Sequence, residues 1–125
     1  MYSIRFDADT HILHLRLEGF WSEQTLAAFT AELLRTITAL RAQHRRYAVL
    51  SDSRQFGIQS PEVSQGFERI MAHGATANPS PTAIVVAGVL NKMQVERTMK
   101  SDRLRAFLNE ADARAWLVAE MARTV

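Results

Sequence analysis

Residues 47–61 constrain the fold of this chain more than any other stretch of its sequence. The stretch begins as a short apolar run, 47–50, which is typical of an inner strand and too short for a buried helix. It turns polar at Ser51-Asp52-Ser53, and Ser60 and Pro61 then suit the N-cap and the first position of a helix. A strand whose carboxyl end leads to a helix start predicts an open α/β sheet, in which ligands and partners usually bind at that edge.

Size and composition predict one globular domain over residues 1–125. A hydrophobic content of 47% and a charged content of 22% are ordinary for a chain with its own core. The chain has no cysteine, which excludes disulfides and thiol chemistry. Its net charge of +2 is too small to indicate nucleic-acid binding, and its longest apolar run, 83–90, is too short for a membrane span. We therefore expect a cytoplasmic protein with no stable membrane insertion.

Apolar periodicity divides the chain into nine predicted elements. The predicted strands are residues 2–6, 11–18, 47–51, 82–87 and 105–108, and the predicted helices are 23–43, 61–73, 92–101 and 110–121. Ser22, Asn91 and Asn109 are the expected N-caps, and Gly74 is an expected helix end. The order ββαβαβαβα predicts an α/β fold, with a five-stranded mixed and mostly parallel sheet that carries four helices.

Several of these segments together resemble a known family. They are the N-terminal hairpin with Gly19 before the first helix, the strand 47–52 leading to Phe56-Gly57, and the closing segment 104–117 with its Trp116-Leu117 pair. In this pattern the chain resembles the SpoIIAA-like branch of the STAS superfamily, named for sporulation anti-sigma-factor antagonists. Lipid-binding CRAL-TRIO domains are more distant structural kin. The resemblance covers nearly the whole chain and implies a SpoIIAA-like fold.

The resemblance implies a non-enzymatic interaction or regulatory domain. In antagonists of this class, a serine at the helix start after the central strand is phosphorylated within a motif of Asp, Ser, a small residue and Gly. This chain has Gln59-Ser60-Pro61-Glu62 at the helix start and Asp52-Ser53-Arg54 earlier, and neither segment matches that motif. Ser60 is a candidate phosphoacceptor because a helix dipole favours phosphate, but an ordinary N-cap is the expected role.

We expect a binding or regulatory module that acts through the connection after the central strand. The candidate interaction or ligand loop consists of Asp52, Ser53, Arg54, Phe56, Gly57 and Ser60. The expected partner is another protein. The alternative is a carrier or sensor of a small apolar ligand or lipid, as in the lipid-binding relatives. An apolar cavity lined by Phe56, Phe67, Ile70 and Met71 would favour the carrier, and a filled core with an exposed loop would favour the protein-binding module.

An enzyme is the third choice, because the sequence spacing assembles no nucleophile and base. Asp52 is a candidate base or metal ligand, but no second carboxylate lies near it in sequence. The four histidines, His11, His14, His44 and His73, lack the spacing of a metal-binding motif. The sequence therefore predicts no metal site and no cofactor.

A homodimer is expected if the helices leave part of the sheet uncovered. The predicted strand 82–87 is apolar at nearly every position, so both of its faces need covering. A symmetric pair of chains can cover such a face. The alternative is that the last helix, with Trp116 and Leu117, crosses to the second face and completes the core.

Overall fold

The computed structural model describes residues 1–43, 46–77, 80–98 and 103–123. In chain order its elements are strands β1 (Tyr2–Asp7) and β2 (Ile12–Gly19), helix α1 (Glu23–Ala42), strand β3 (Ala48–Phe56), helix α2 (Pro61–Ala77), strand β4 (Thr82–Val85), helix α3 (Val89–Thr98), strand β5 (Leu104–Phe107) and helix α4 (Glu110–Arg123). This is the predicted order ββαβαβαβα, and the predicted α/β architecture is confirmed.

The five strands form one mixed sheet in the order β1-β2-β3-β4-β5. β1 and β2 are antiparallel, and the other three neighbouring pairs are parallel. Each parallel connection contains a helix, because a parallel strand must return across the sheet before it can pair. β4 ends at Val85, two residues before the end of the predicted strand 82–87. Val85 pairs with Phe107, where the neighbouring strand β5 ends. The carboxyl ends of the four parallel strands lie along one edge, where a ligand site is expected.

Helices α1 and α2 cover one face of the sheet. Leu13, Leu15 and Leu17 alternate along β2 and point to this face, since successive side chains of a strand point to opposite sides. They pack in one buried cluster with Phe29 of α1 and Phe67 of α2. The alternation seen in the sequence therefore fixes which side of the hairpin faces the core.

Helix α4 covers the second face. Leu117 is fully buried, and it packs with Ala113 against Leu50, Ala83 and Val85 of the middle strands. The condition on which the dimer was predicted is therefore wrong, because α4 buries the apolar area that a second chain was expected to cover. The homodimer stays an untested prediction, and an uncovered face of the sheet no longer supports it.

Strand β3 is longer than predicted, which changes the position of the candidate site. The polar segment after residue 51 pairs with β2, with Arg16 opposite Asp52 and Gly19 opposite Phe56. Pairing with a neighbouring strand outweighs the weak strand preference of a polar segment. Four residues predicted in a loop therefore lie on the strand, namely Asp52, Ser53, Arg54 and Phe56. The connection to α2 is only residues 57–60.

Two helix boundaries also differ from the prediction. Helix α2 continues past Gly74, since one glycine inside a helix costs only about 1 kcal/mol relative to alanine. Helix α3 begins at Val89, three residues earlier than predicted. The Lys92 amide donates a 3.0 Å hydrogen bond to the Gly88 carbonyl, so Asn91 lies inside the first turn and is not the N-cap.

Local sequence does specify the start of two other helices. The Ser22 hydroxyl accepts a 3.1 Å hydrogen bond from the Thr25 amide at the start of α1. The Asn109 side-chain oxygen accepts a 2.8 Å hydrogen bond from the Asp112 amide at the start of α4. Each bond satisfies an amide that has no partner within its own helix, and both predicted N-caps are confirmed.

Candidate functional site

A cleft of about 410 Å³ lies between α2 and α3, at the carboxyl ends of β3 and β4. Its apolar lining consists of Phe56, Ile58, Phe67, Ile84, Val86, Ala87 and Val95. Its polar lining consists of Ser53, Gln59, Ser64, Glu68, Asn91 and Gln94, and Gly57 contributes backbone. This volume lies within the range of small-molecule sites, which are mostly apolar with a few polar groups. The edge of the sheet predicted as a binding edge therefore carries a preformed concave site.

Two of the four residues that were expected to line an apolar cavity line this cleft. Phe56 and Phe67 line it, whereas Ile70 packs against the buried core cluster instead. The side chain of Met71 lies outside the described residues. The contributions of β4 and α3, such as Ile84 and Val95, were missed. The signal that points to them is topological, because the carboxyl ends of adjacent parallel strands meet at one edge.

An aromatic chain anchors the cleft wall to the core. The ring of Phe56 lies 5.0 Å from Trp21 and 5.7 Å from Phe67, between ring centroids. Phe67 stacks at 6.1 Å on Phe29 of α1. Trp21 is only 1% exposed and belongs to the core. The preceding residue, Phe20, is exposed to solvent. The wall that a ligand would contact is therefore continuous with the packed interior.

Gln59 fixes the loop 57–60, of which residues 57–59 line the cleft. Its side-chain oxygen accepts a 2.7 Å hydrogen bond from the Trp21 amide, and its side-chain nitrogen donates to the carbonyls of Gly19 and Gly57 at 2.8 and 2.7 Å. The Gly57 amide also donates to the Gly19 carbonyl at 3.2 Å. One amide side chain therefore ties the loop 57–60 to the segment between β2 and α1. Gln59 was not among the predicted site residues.

Replacing Gln59 by alanine is expected to lower the free energy of unfolding by about 1–2 kcal/mol, since three hydrogen bonds are lost at a partly solvated site. Chemical denaturation measures the loss. Gln55→Ala, on the exposed side of β3, is the matched control and is expected to change stability by no more than about 0.5 kcal/mol. Equal stability of the two variants would show that the Gln59 tie contributes nothing.

Asp52 and Arg54 lie away from the cleft, although both were predicted as site residues. Neighbouring side chains of a strand alternate, so Ser53 lines the cleft whereas Asp52 and Arg54 lie on the opposite side of β3. A shift in the pairing of β3 with β2 after Asp52 then returns Phe56 to the cleft side. The Arg54 guanidinium donates two 2.9 Å hydrogen bonds to the Asp52 carboxylate. These bonds, assisted by the Arg54 charge, hold the pKa of Asp52 below its ordinary value and outweigh the opposing effect of partial burial.

Ser60 occupies the N-cap of α2, as predicted. Its hydroxyl accepts a 3.3 Å hydrogen bond from the Val63 amide, and its carbonyl accepts a 2.9 Å bond from the Ser64 amide. Ser60 is partly buried and does not line the cleft. Phosphorylation of Ser60 stays the untested alternative to this role, and mass analysis of the protein from cells tests it.

Two kinds of feature are absent from the described parts of the chain. No group of three or more His, Asp or Glu side chains there is placed to hold a metal ion. His44 lies outside the described residues, as does the side chain of His73. No helix there combines the length and the apolar character needed to cross a membrane.

The environment of His14 is expected to make the stability of the fold depend on pH. Partial burial and the charges of Arg5 on β1 and Arg114 on α4 lower the pKa of His14, and Asp7 and Glu110 oppose them more weakly. Because the unfolded chain binds a proton more readily here, stability falls as pH falls below the ordinary histidine pKa of about 6.5. The effect ends once pH is below the folded-state pKa.

We expect His14→Gln to flatten the dependence of unfolding free energy on pH in the interval just below the ordinary histidine pKa of about 6.5. Urea denaturation at a series of pH values measures the slope. Parallel curves for the two proteins across this interval would contradict the role of His14, whatever their offset in stability.

Neither the protein-family models nor the curated proteins contain a match to this sequence. A structural match does exist, to an uncharacterised protein of the DUF3478 family from Shewanella loihica PV-4 that has a SpoIIAA-like fold. The two structures superpose with a TM-score of 0.67 over 94% of this chain and 92% of the other. The chain has a SpoIIAA-like fold. At 18% sequence identity the match establishes the fold alone and assigns no function to this SpoIIAA-like domain.

Proposed function

We propose that this SpoIIAA-like domain is a non-catalytic binding module whose cleft between α2 and α3 holds a small, largely apolar ligand. The observation that carries this proposal is the cleft of about 410 Å³ with Phe56, Phe67, Ile84 and Val86 in its lining. Burying an apolar ligand there is favourable by roughly 25 cal/mol per Å² of apolar surface. Of the two functions expected from the sequence, the cleft favours the carrier or sensor.

The absence of catalysis is part of the proposal. Asp52 is held ionised by Arg54 and points away from the cleft, which makes it a weak base with no access to the ligand. Ser53 lines the cleft, and its hydroxyl lies 3.2 Å from the Ser51 hydroxyl, a group unable to act as a general base. The contacts of Asp52 and Ser53 suit binding better than proton transfer, and within the described parts of the chain the Glu68 carboxylate of the cleft forms no hydrogen bond to a hydroxyl that it could activate.

A protein partner at the connection after β3 is the second candidate function. Ile58, in the loop 57–60, is 92% exposed, and Leu90 at the start of α3 is 80% exposed. Ile58 lines the cleft, and Leu90 precedes the cleft-lining Asn91 in sequence. Exposed apolar side chains at a cleft are typical of interaction sites.

Self-association and a cytoplasmic location remain predictions. Light scattering tests the first, and a measured mass near 14.1 kDa, the mass of one chain, would contradict the homodimer.

A fluorescence titration with N-phenyl-1-naphthylamine, a neutral apolar probe, tests the proposed function. We expect saturable enhancement with one site per chain, and we expect 1-decanol to displace the probe. The same titration after thermal unfolding is the control for unspecific adsorption. Enhancement that never saturates, or that persists after unfolding, would contradict a built apolar site and leave the protein-binding module as the better account.

A further inference from the structure

Glu68 gives the cleft a negative charge. Among the described residues that line the cleft, it is the only ionisable side chain, and the other polar groups are neutral amides and hydroxyls. Within the described parts of the chain, no side chain forms an ion pair or hydrogen bond with the Glu68 carboxylate. As far as the described residues go, the site therefore presents a carboxylate acceptor without a charged partner beside its apolar walls.

We propose that Glu68 makes the cleft selective for apolar ligands that carry a protonated amine, and against ligands that carry a carboxylate. The proposal rests on the proposed function, since it assigns a head group to the ligand of the same cleft. An ionised carboxylate only accepts hydrogen bonds, so an ammonium group satisfies it and a second carboxylate repels it. Glu68 is partly buried, and partial burial weakens the screening of its charge by water.

The neutral polar groups that line the same cleft as Glu68 fit the same head group. Ser64 lies one helical turn before Glu68 on α2 and also lines the cleft. Asn91 and Gln94 line it from α3. The Ser64 hydroxyl and the Asn91 amide oxygen accept hydrogen bonds, so an ammonium group that has three donors finds further acceptors in the same cleft.

The helix dipoles act in the opposite direction, and they are strongest at the first turns of α2 and α3, which include Ser64 and Asn91 of the cleft lining. The positive ends of α2 and α3 favour anions within the first helical turn. Glu68 is the eighth residue of α2, about two turns from its N-terminus, so the dipole contributes little at that depth. The full charge of Glu68 therefore determines the preference for the head group.

Displacement of N-phenyl-1-naphthylamine by decylamine, 1-decanol and decanoate at pH 7.5 tests the inference. These compounds share one alkyl chain and differ in the charge of the head group. We expect decylamine to displace the probe at the lowest concentration and decanoate at the highest. In Glu68→Gln the ratio of their dissociation constants is expected to fall on the order of tenfold, and in Glu68→Lys the order reverses. Glu62→Gln, on an exposed position of the same helix, is the matched control and keeps the wild-type order.

The outcomes separate this inference from the proposed function. If decanoate displaces the probe as well as decylamine, or if both Glu68 variants keep the wild-type order, the charge selectivity is wrong and the apolar site stands. If the probe itself does not bind, both proposals fail together. Thermal melts of the variants confirm that each is folded, and Glu68 is partly exposed, so its replacement leaves the core intact.

Discussion

Replacing Ser64 by tryptophan is expected to weaken binding of the neutral probe by about tenfold or more. Ser64 lines the cleft from α2, close in sequence to Phe67, and an indole ring at this position occupies space that a ligand needs. If the ligand loses roughly 100 Å² of apolar contact, the loss is about 2.5 kcal/mol, which is more than tenfold in the dissociation constant. Fluorescence titration of the variant measures the change.

Gln65→Trp is the matched control for this experiment. Gln65 is the next residue of α2, is exposed and does not line the cleft, so the same bulky side chain projects into solvent. We expect this variant to bind the probe with wild-type affinity. If both variants bind the probe equally weakly, the cause is a general disturbance of α2. If both bind it with wild-type affinity, the probe binds outside the cleft.

Replacing Trp21 by alanine is expected to lower the free energy of unfolding by about 3–5 kcal/mol. Trp21 contacts the rings of Tyr2, Phe29 and Phe56 at centroid distances of 5.7, 5.2 and 5.0 Å. Its indole nitrogen donates a 3.0 Å hydrogen bond to the Glu18 carbonyl. The substitution leaves a cavity where β1, α1 and the end of β3 meet, and chemical denaturation measures its cost.

The neighbouring Phe20 provides the control for Trp21. It is 70% exposed, so Phe20→Ala is expected to change stability by no more than about 0.5 kcal/mol. Trp21→Ala is also expected to weaken probe binding, because Phe56 loses its support and lines the cleft. A Trp21→Ala protein with wild-type stability would contradict the aromatic chain as the anchor of the cleft wall.

Much of the fold follows from local sequence. The alternation of Leu13, Leu15 and Leu17 determines the buried face of β2, and Ser22 and Asn109 mark helix starts by hydrogen bonds only three residues long. The length of β3 does not follow from local sequence. Its polar end is a strand because it pairs with β2, at contacts between residues more than thirty positions apart, such as Gly19 with Phe56.

The candidate site was predicted only in part, for the same reason. Phe56 was predicted in the loop and Phe67 on the helix that follows it, and both line the cleft. Gln59 acts through bonds to backbone 38 and 40 positions away, which no sequence window contains. The position of α3 is equally non-local, since the pattern of this helix does not reveal that Val95 faces α2 across a cleft.

A crystal structure of the protein grown with 1-decanol tests the central claim most directly. Decanol is uncharged, so the result does not depend on the role of Glu68. We predict one decanol molecule between α2 and α3, with its alkyl chain against Phe56 and Phe67 and its hydroxyl toward the polar lining. A structure in which decanol is bound elsewhere and the cleft holds only water, although solution titration shows saturable binding, would contradict the claim.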